Sequence, residues 1–335
     1  MRKAYHILLA AMLTGAALLS LTSCGSKANA SDLTKVTLNE VAHSIFYAPQ
    51  YAAIELGYFK EEGIDLTLVN GAGADKVMTA LISGDADIGF MGSEASIYTY
   101  ANGSEDYAVN FAQLTQRAGN FLVGRSGQPG FKWTDIKGKK VLGGRAGGMP
   151  EMVFEYILKK NGIDPATDLT IDQSISFGLT AAAFTSNDAD YTVEFEPFAT
   201  GLEKEGSGYV VASLGVDSGY VPYTAYSAKK SYLEKNPETI QKFTNAIQRG
   251  LEYVNSHSSE EIAKVIRPQF KETDADTIAT IIERYKDQDT WKKDTVFQKD
   301  SFELLENILE ESGQLKERVP YETLVTTVYS EKAAK

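Results

Sequence analysis

The stretch ALISGDADIGFMGSE, residues 80–94, decides the fold, and AFTSNDADYTVEFEP, residues 183–197, repeats its pattern. Both stretches contain Asp-Ala-Asp, which begins at Asp85 in the first and at Asp188 in the second. Each stretch starts with apolar residues at helical spacing, turns at Ser-Gly or Ser-Asn, and continues as a short strand after the second Asp. The chain is therefore expected to build one helix–turn–strand–loop unit twice.

Strands and helices alternate around both copies, which indicates α/β sheets. Strands are predicted over residues 36–39, 64–69, 87–90, 108–115, 121–124 and 140–143, within 166–175, and over 210–212 and 223–227. Helices are predicted over residues 47–56, through 78–82, from 94 onward, and over 151–160 and 181–184. From residue 231 onward nearly all of the chain reads as helix, because apolar residues recur at every third and fourth position.

The two copies are expected to face each other across a ligand cleft. One copy lies within residues 36–115 and the other within 120–220, so each of two α/β lobes contains one. In open α/β sheets the ligand crevice lies at the carboxyl ends of the strands. The loops 91–94 and 194–197 would then form opposite edges of one site. An alternative is that Asp-Ala-Asp only caps turns, and this is compatible with a functional loop after each strand.

The start of the chain predicts export. Arg2 and Lys3 precede an apolar run over residues 7–21, which is shorter than the ~20 residues that span a bilayer. Cys24 is the only cysteine, so it has no partner for an intramolecular disulfide. It is either incidental to an ordinary cleavage site or itself functional. Residues 1–23 are predicted to be a signal peptide, and 24–33 a small, polar tether.

Composition narrows the function class. The formal net charge of −12 argues against nucleic acid and against adhesion to anionic lipid as partners. About 310 residues remain after the signal, which suggests two domains of ordinary size.

Two stretches resemble the substrate-binding proteins of ABC importers that carry nitrate, sulfonates, taurine or the pyrimidine precursor of thiamine. They are YAPQYAAIELGYFKEEGIDLTLV, residues 47–69, and ALISGDADIGFMGS, residues 80–93. The resemblance covers about residues 36–325, and Leu-Thr-Ser-Cys at 21–24 looks like a bacterial lipobox. The resemblance implies that Cys24 is the lipid-modified first residue, at the extracytoplasmic face of the cell membrane.

The resemblance also implies a type II periplasmic-binding-protein fold, with two α/β lobes, a cleft between them and two crossovers. Lobe 1 would comprise residues 34–116 and 222–335, and lobe 2 residues 117–221. The crossovers would lie near 115–121 and 219–223. A monomer with a small-molecule ligand, a transporter permease as partner, and neither cofactor nor metal is expected. Such lobes close on their ligand by a hinge.

Motifs for catalysis are not evident in the sequence. His43 and His257 are the only histidines beyond the signal, and GAGAD at 71–75 lacks the full dinucleotide-binding pattern. Fungal relatives of the fold synthesise the thiamine pyrimidine by consuming their own histidine. That chemistry requires a cytosolic chain with metal-binding cysteines, so the export signal and the single Cys24 argue against it. An adhesin or structural lipoprotein would leave the duplicated loops unexplained.

The resemblance implies sixteen candidate ligand-binding positions. They are His43, Ser44, Tyr47, Met91, Gly92, Ser93, Glu94, Gln116, Gly147, Gly148, Met149, Glu151, Tyr191, Glu194, Phe195 and Glu196. His43, Tyr47 and Phe195 could instead be packing residues. Glu94 and Glu151 could be first-turn carboxylates that the helix dipole favours.

The charge balance of these loops favours a ligand that donates hydrogen bonds. Four glutamates, at 94, 151, 194 and 196, outnumber one nearby arginine, Arg145. Carboxylates only accept hydrogen bonds, and the aromatic side chains offer flat faces for a ring. A thiamine pyrimidine precursor or a related nitrogen heterocycle is therefore the preferred ligand. The alternative is a sulfonate, nitrate or taurine-like solute, although the carboxylates would repel a sulfonate that has no bridging cation.

Overall fold

The computed structural model describes residues 33–144, 146–175 and 178–335, and in this part of the chain ten strands form two sheets of five. The strands are β1 Thr34–Glu40, β2 Ile64–Asn70, β3 Ile88–Met91, β4 Ala108–Thr115, β5 Asn120–Gly124, β6 Lys140–Leu142, β7 Thr170–Asp172, β8 Tyr191–Phe195, β9 Tyr209–Ser213 and β10 Thr224–Lys229. The first sheet has the order β2-β1-β3-β10-β4, and the second has the order β7-β6-β8-β5-β9.

The two sheets share one plan. In each, three neighbouring strands are parallel, and the fourth runs antiparallel to the strand on either side. The fourth strand is β10 in the first sheet and β5 in the second, and each is the strand that enters after a crossing from the other sheet. The crossing segments are residues 116–119 and 219–223. The predicted fold class, two α/β lobes, is confirmed.

Helices surround both sheets. They are α1 Ala48–Glu55, α2 Tyr58–Glu61, α3 Ala74–Ser83, α4 Glu94–Ala101, α5 Met149–Lys160, α6 Thr180–Ser186, α7 Phe198–Lys204, α8 Leu214–Ser218, α9 Lys230–Lys235, α10 Pro237–Ser256, α11 Ser259–Ile266, α12 Ala275–Asp287, α13 Lys299–Glu311, α14 Tyr321–Leu324 and α15 Val328–Ala333. Within the described residues, none of the helices combines the length and apolar character needed to cross a membrane.

The duplicated unit forms α3–β3 in the first lobe and α6–β8 in the second. Asp87 and Asp190, the second acids of the two copies, play the same part. The Asp87 carboxylate accepts the backbone N–H of Thr37 at 2.8 Å, and the Asp190 carboxylate accepts that of Lys140 at 2.9 Å. Each acid therefore joins its strand to the central parallel strand of its own sheet. The predicted structural role of the Asp-Ala-Asp turn is confirmed.

Helix α10 shows why the C-terminal helices pack on the first lobe. Pro237 begins the helix, where its missing N–H costs nothing. The buried apolar residues recur at helical spacing, at Ile240, Phe243, Ile247, Leu251 and Val254. Gly250 permits close contact with α1, since a Cβ there would lie 2.2 Å from the carbonyl oxygen of Pro49.

The end of α12 and the residues just after it hydrogen-bond to both crossings, and at the second crossing the hydroxyl of Tyr220 donates to the carboxylate of Asp289 at 2.7 Å. Gln116 donates its backbone N–H to the carbonyl of Thr290 at 2.9 Å. The Gln288 side chain donates to the carbonyl of Ala118 at 3.0 Å and accepts from Ser213 at 2.7 Å. The C-terminal helical region thus contacts the chain where it passes from one lobe to the other.

Candidate functional site

An aromatic layer joins the lobes next to the crossings. Phe46 lies in a 3₁₀ turn after β1, and its ring centroid is 6.0 Å from that of Phe195 at the end of β8. It also lies 5.8 Å from Tyr223 in the second crossing and 5.2 Å from Tyr285 of α12. These rings are all buried. The lobes therefore contact each other at the carboxyl ends of β1 and β8, where the cleft was predicted.

Glu94 brings a buried negative charge to this layer. It is the first residue of α4 and is 5% exposed, and its carboxylate folds back so that a Cβ at Gly92 would lie 2.1 Å from Oε2. Burial raises the pKa of Tyr47 and of Tyr223, and the charge of Glu94 raises both further. Burial also raises the pKa of Tyr98, again with a contribution from Glu94. The carboxylate therefore lies among three tyrosine side chains.

The first turn of α5 faces α4 from the second lobe. Glu151 accepts the backbone N–H of Gly147 and the side-chain amide of Gln173, both at 2.9 Å. Burial and the neighbouring Glu155 raise the pKa of Glu151. The hydroxyl of Tyr98, on α4, lies 3.5 Å from the sulfur of Met152. These contacts place a second partly buried carboxylate on the opposite side of the cleft.

His43 is held by the first lobe at both ring nitrogens. Nδ1 lies 2.8 Å from the carboxylate of Glu40, and Nε2 lies 2.9 Å from the carbonyl oxygen of Gln269. Both partners are hydrogen-bond acceptors, and the Glu40 hydrogen bond is the largest cause that raises the pKa of His43. Glu40 is fully buried and also accepts from Gln50 and Tyr51.

The carboxylates of Glu194 and Glu196 form hydrogen bonds or ion pairs with other groups of the protein. Glu194 accepts from the hydroxyls of Thr180 at 3.0 Å and Thr192 at 2.6 Å, and burial raises its pKa to about 7. It pairs with Phe121 in the sheet and is adjacent to Phe195 along β8, so its side chain lies on the opposite face of the strand from that of Phe195. Glu196 accepts the backbone N–H of Thr200 and forms an ion pair with Arg284 of α12.

The structure brings only part of the predicted set together. Ser44 and Phe195 contact the opposite lobe, since the Ser44 hydroxyl donates to the Glu196 carbonyl at 3.3 Å and the Phe195 ring lies 6.0 Å from that of Phe46. Ser93 donates to the Pro222 carbonyl at 2.7 Å and lies beside the second crossing, and Tyr47 and Glu94 lie in the first lobe near Tyr223. Gly147, Gly148, Met149 and Glu151 form the α5 edge.

The remaining positions have other surroundings. Met91 is buried in a small cluster with α3, and Tyr191 donates to the side chain of Gln128 at 3.0 Å. Gln116 donates to the carbonyl of Asp289 at 3.1 Å, beside the first crossing. Together with His43 and Glu194, these residues are not gathered around the aromatic layer. Their roles in binding stay predictions.

Two polar residues at the crossings were not among the sequence candidates: Asn120, which begins β5 directly after the first crossing, and Tyr223, the last residue of the second. Asn120 is fully buried, and neither its Nδ2 nor its Oδ1 has a hydrogen-bond partner within the described residues. The hydroxyl of Tyr223 is also buried without such a partner in the same part of the chain. Both residues fall within the crossovers that the resemblance implied. A polar side chain in a crossing segment is the signal that could have identified them.

Two similar lobes, linked by two crossings and closed over an aromatic and acidic layer, define a protein of the periplasmic-binding-protein fold. The chain belongs to the family described as NMT1/THI5 like, which matches residues 45–261. The family resemblance that the sequence predicted is therefore confirmed.

Known proteins similar to the chain include a bacterial binding protein and a fungal enzyme. YtlA of Bacillus subtilis, named as a binding protein with no ligand specified, is 48% identical over 300 residues, which cover 90% of each chain. The 4-amino-5-hydroxymethyl-2-methylpyrimidine phosphate synthase THI11 of Saccharomyces cerevisiae is 27% identical over 229 residues, which cover 62% of this chain and 63% of the enzyme.

A solved structure shows the same fold. The periplasmic nitrate-binding protein NrtA of Synechocystis PCC 6803 superposes with a TM-score of 0.73 at 15% identity. The match covers 90% of this chain and 89% of that protein.

Proposed function

We propose that the protein is the solute-binding component of an ABC importer and that it captures a small nitrogen heterocycle between its lobes. The family, the fold and the similarity to a binding protein support the role in binding. The preferred ligand is a thiamine pyrimidine precursor or a related ring. The similarity to a fungal enzyme named for a phosphorylated aminopyrimidine is consistent with that preference.

The observation that carries this proposal is the placement of Glu94 among aromatic rings. A buried carboxylate is stable beside a group that donates hydrogen bonds or carries positive charge, and it repels an anion. The rings of Phe46, Tyr47, Phe195 and Tyr223 offer flat apolar faces at the same place. An aminopyrimidine satisfies both requirements, whereas nitrate would place negative charge near Glu94, and taurine, whose ammonium could pair with Glu94, has no flat ring to lie against the aromatic faces.

Calorimetry tests the ligand class. The full chain, purified in mild detergent, is titrated with 4-amino-5-hydroxymethyl-2-methylpyrimidine, taurine and nitrate. We expect the pyrimidine to bind, and Glu94→Gln to weaken binding ~10- to 100-fold, because losing a buried partner costs ~1–3 kcal/mol. Glu194→Gln is the matched control, since that buried acid lies on the other face of β8. An anionic solute that binds better to Glu94→Gln would refute the heterocycle assignment.

Recovery of the bound solute separates binding from synthesis. We expect mass spectrometry of the released ligand to return the added pyrimidine unchanged after prolonged incubation. Conversion of the solute, or loss of mass from a histidine of the protein, would support the enzyme of the same fold instead.

A change in compactness on ligand binding tests whether the two proposed lobes close by a hinge. The first lobe comprises residues 34–116 and 222–335, and the second comprises residues 117–221. Contacts to both lobes exist only in the closed state, so a saturating ligand favours that state. We expect small-angle scattering to give a smaller radius of gyration with the pyrimidine than without it. The same radius in both conditions would argue against a hinge-closing receptor.

We further propose that Cys24 carries the lipid that holds the protein at the extracytoplasmic face of the membrane. Cys24 lies outside the described residues. Two or more acyl chains give stable anchoring where one does not. Cys24→Ser is expected to move the protein from the membrane fraction to the soluble fraction with its thermal unfolding unchanged. Retention of Cys24→Ser protein on membranes after a carbonate wash would exclude this anchor.

A further inference from the structure

We propose that the side-chain amide of Asn120 recognises the ligand through two hydrogen bonds. The bonds would be made to an edge of the ligand ring that presents one hydrogen-bond donor next to one acceptor. This inference rests on the proposed function and names the chemical edge that the site recognises. Asn120 would thereby select amino-substituted nitrogen heterocycles in which the amino group is adjacent to a ring nitrogen.

The burial of Asn120 is the first observation. The residue has 0% exposure, and both polar atoms of its amide lack a hydrogen-bond partner within the described part of the chain. Buried amides are normally paired, so a buried unpaired amide needs an explanation.

Asn110 provides an internal comparison. It is also 0% exposed and lies in a strand, β4. Its Nδ2 donates to the hydroxyl of Ser96 at 2.8 Å and to the carbonyl of Leu324 at 3.1 Å, and its Oδ1 accepts from Ser227 at 2.7 Å. The fold therefore satisfies a structural asparagine completely, and Asn120 differs from it.

The direction of the Asn120 side chain is the second observation. Asn120 lies opposite Phe195 in the antiparallel pairing of β5 and β8, so the two side chains share one face of the sheet. The ring of Phe195 lies 6.0 Å from Phe46 and 6.2 Å from Tyr223. The unpaired amide is thus on the same sheet face as Phe195, whose ring contacts Phe46 of the first lobe, and the unpaired Tyr223 hydroxyl belongs to the same group of rings.

The chemistry of an amide determines what it can recognise. It presents an acceptor oxygen and a donor nitrogen side by side. An amino group next to a ring nitrogen offers the complementary pair, which is how asparagine reads adenine in DNA. A nitrate or sulfonate only accepts, so it would leave Oδ1 unpaired. An aminopyrimidine or aminopurine edge satisfies both atoms.

The test compares Asn120→Leu with Asn110→Leu in the full chain. Without ligand, Asn120→Leu is expected to unfold at a temperature equal to or above that of the wild type, because an unpaired amide is replaced by an apolar group of similar size. Asn110→Leu is expected to unfold at a lower temperature. With 4-amino-5-hydroxymethyl-2-methylpyrimidine, Asn120→Leu is expected to bind at least ~10-fold more weakly.

A ligand analogue isolates the proposed pair. The same pyrimidine without its amino group is expected to bind the wild type ~10-fold more weakly, and to lose little more on Asn120→Leu, because the interaction is already gone. In wild-type protein, the side-chain amide resonance of Asn120 is expected to shift when the aminopyrimidine is added, and this measurement needs no variant.

The outcomes separate the two proposals. Wild-type protein that binds neither pyrimidine overturns the proposed function and, with it, the role of Asn120. Wild-type protein that binds the aminopyrimidine, while Asn120→Leu binds it within two-fold or the amide resonance does not shift, overturns the role of Asn120 alone.

Discussion

Arg284 connects the two lobes and therefore offers a way to change closure through an ion pair, without replacing a residue of the aromatic layer. Its guanidinium, on α12, pairs with Glu196 and Glu203 of the second lobe, each at 2.5 Å. The Glu196 side chain is fully buried and that of Arg284 is 22% exposed. Arg284→Met leaves Glu196 buried with only its Thr200 donors.

The size of the effect follows from burial. Removing one partner of a buried ion pair costs about 3–5 kcal/mol, and the partial exposure of Arg284 and the remaining donors reduce our expectation to about 2–3 kcal/mol. If the pair forms only when the lobes close, this energy is lost from the closed state. The ligand dissociation constant would then rise roughly 30- to 150-fold.

Calorimetry and small-angle scattering on Arg284→Met measure the affinity and the compactness of the protein. Arg249→Met is the matched control, since Arg249 pairs within the first lobe with Glu61, whose side chain is 59% exposed. That exposed pair is worth about 0–1 kcal/mol. A lower unfolding temperature for Arg284→Met, with affinity and ligand-induced compaction unchanged, would refute the coupling of this ion pair to closure.

Three further predictions concern polar contacts inside the lobes. Asp87→Ala and Asp190→Ala each remove the acceptor of a strand N–H, so urea unfolding should show a loss of about 1–2 kcal/mol in each; an unchanged midpoint would contradict this role. The pKa of His43 is raised above 6.5, so the protonated side chain stabilises the folded protein below about pH 6.5, and this stabilisation is lost as pH rises through the pKa of the folded state. The difference in unfolding free energy between the wild type and His43→Gln should therefore shrink over that range. A constant difference would exclude the ion pair with Glu40. Burial raises the pKa of Glu194 from 4.5 to about 7, so the free energy of unfolding of the wild type should fall as pH rises from about 4.5 to 7. Glu194→Gln should lack this fall. The same dependence of stability on pH in both proteins would show that the carboxylate is not desolvated.

The fold could be predicted because its signals are local. Apolar spacing and turn residues fixed the strands around both copies of the Asp-Ala-Asp unit, and the observed β3 Ile88–Met91 and β8 Tyr191–Phe195 follow those turns. The parallel role of Asp87 and Asp190 follows from the same repeat. Residue 231 onward is largely helical as expected, although residues 290–292 hydrogen-bond along β4 instead.

The site was harder to predict because its contacts are long-range. His43 donates to a carbonyl 226 positions away, and Arg284 lies 88 positions from Glu196. The local sequence does not show which distant group will form a hydrogen bond or an ion pair with a given side chain. The alternation of side chains along a strand was a usable signal, however. Glu194 and Phe195 are adjacent in β8, so their side chains point to opposite faces of the sheet and could not both face the cleft.

The location of Asn120 and Tyr223 links recognition to the hinge. Both lie at the short segments about which the lobes would rotate, so their positions change least between an open and a closed state. Glu94 and the first turn of α5 lie on opposite lobes and meet a common ligand only on closure. A ligand would therefore bind first to the groups at the crossings, and the energy of the later contacts would drive closure. On this argument a ligand that lacks the edge recognised by Asn120 binds ~10-fold more weakly, whereas one that keeps this edge but lacks a donor for Glu94 binds without closing the lobes.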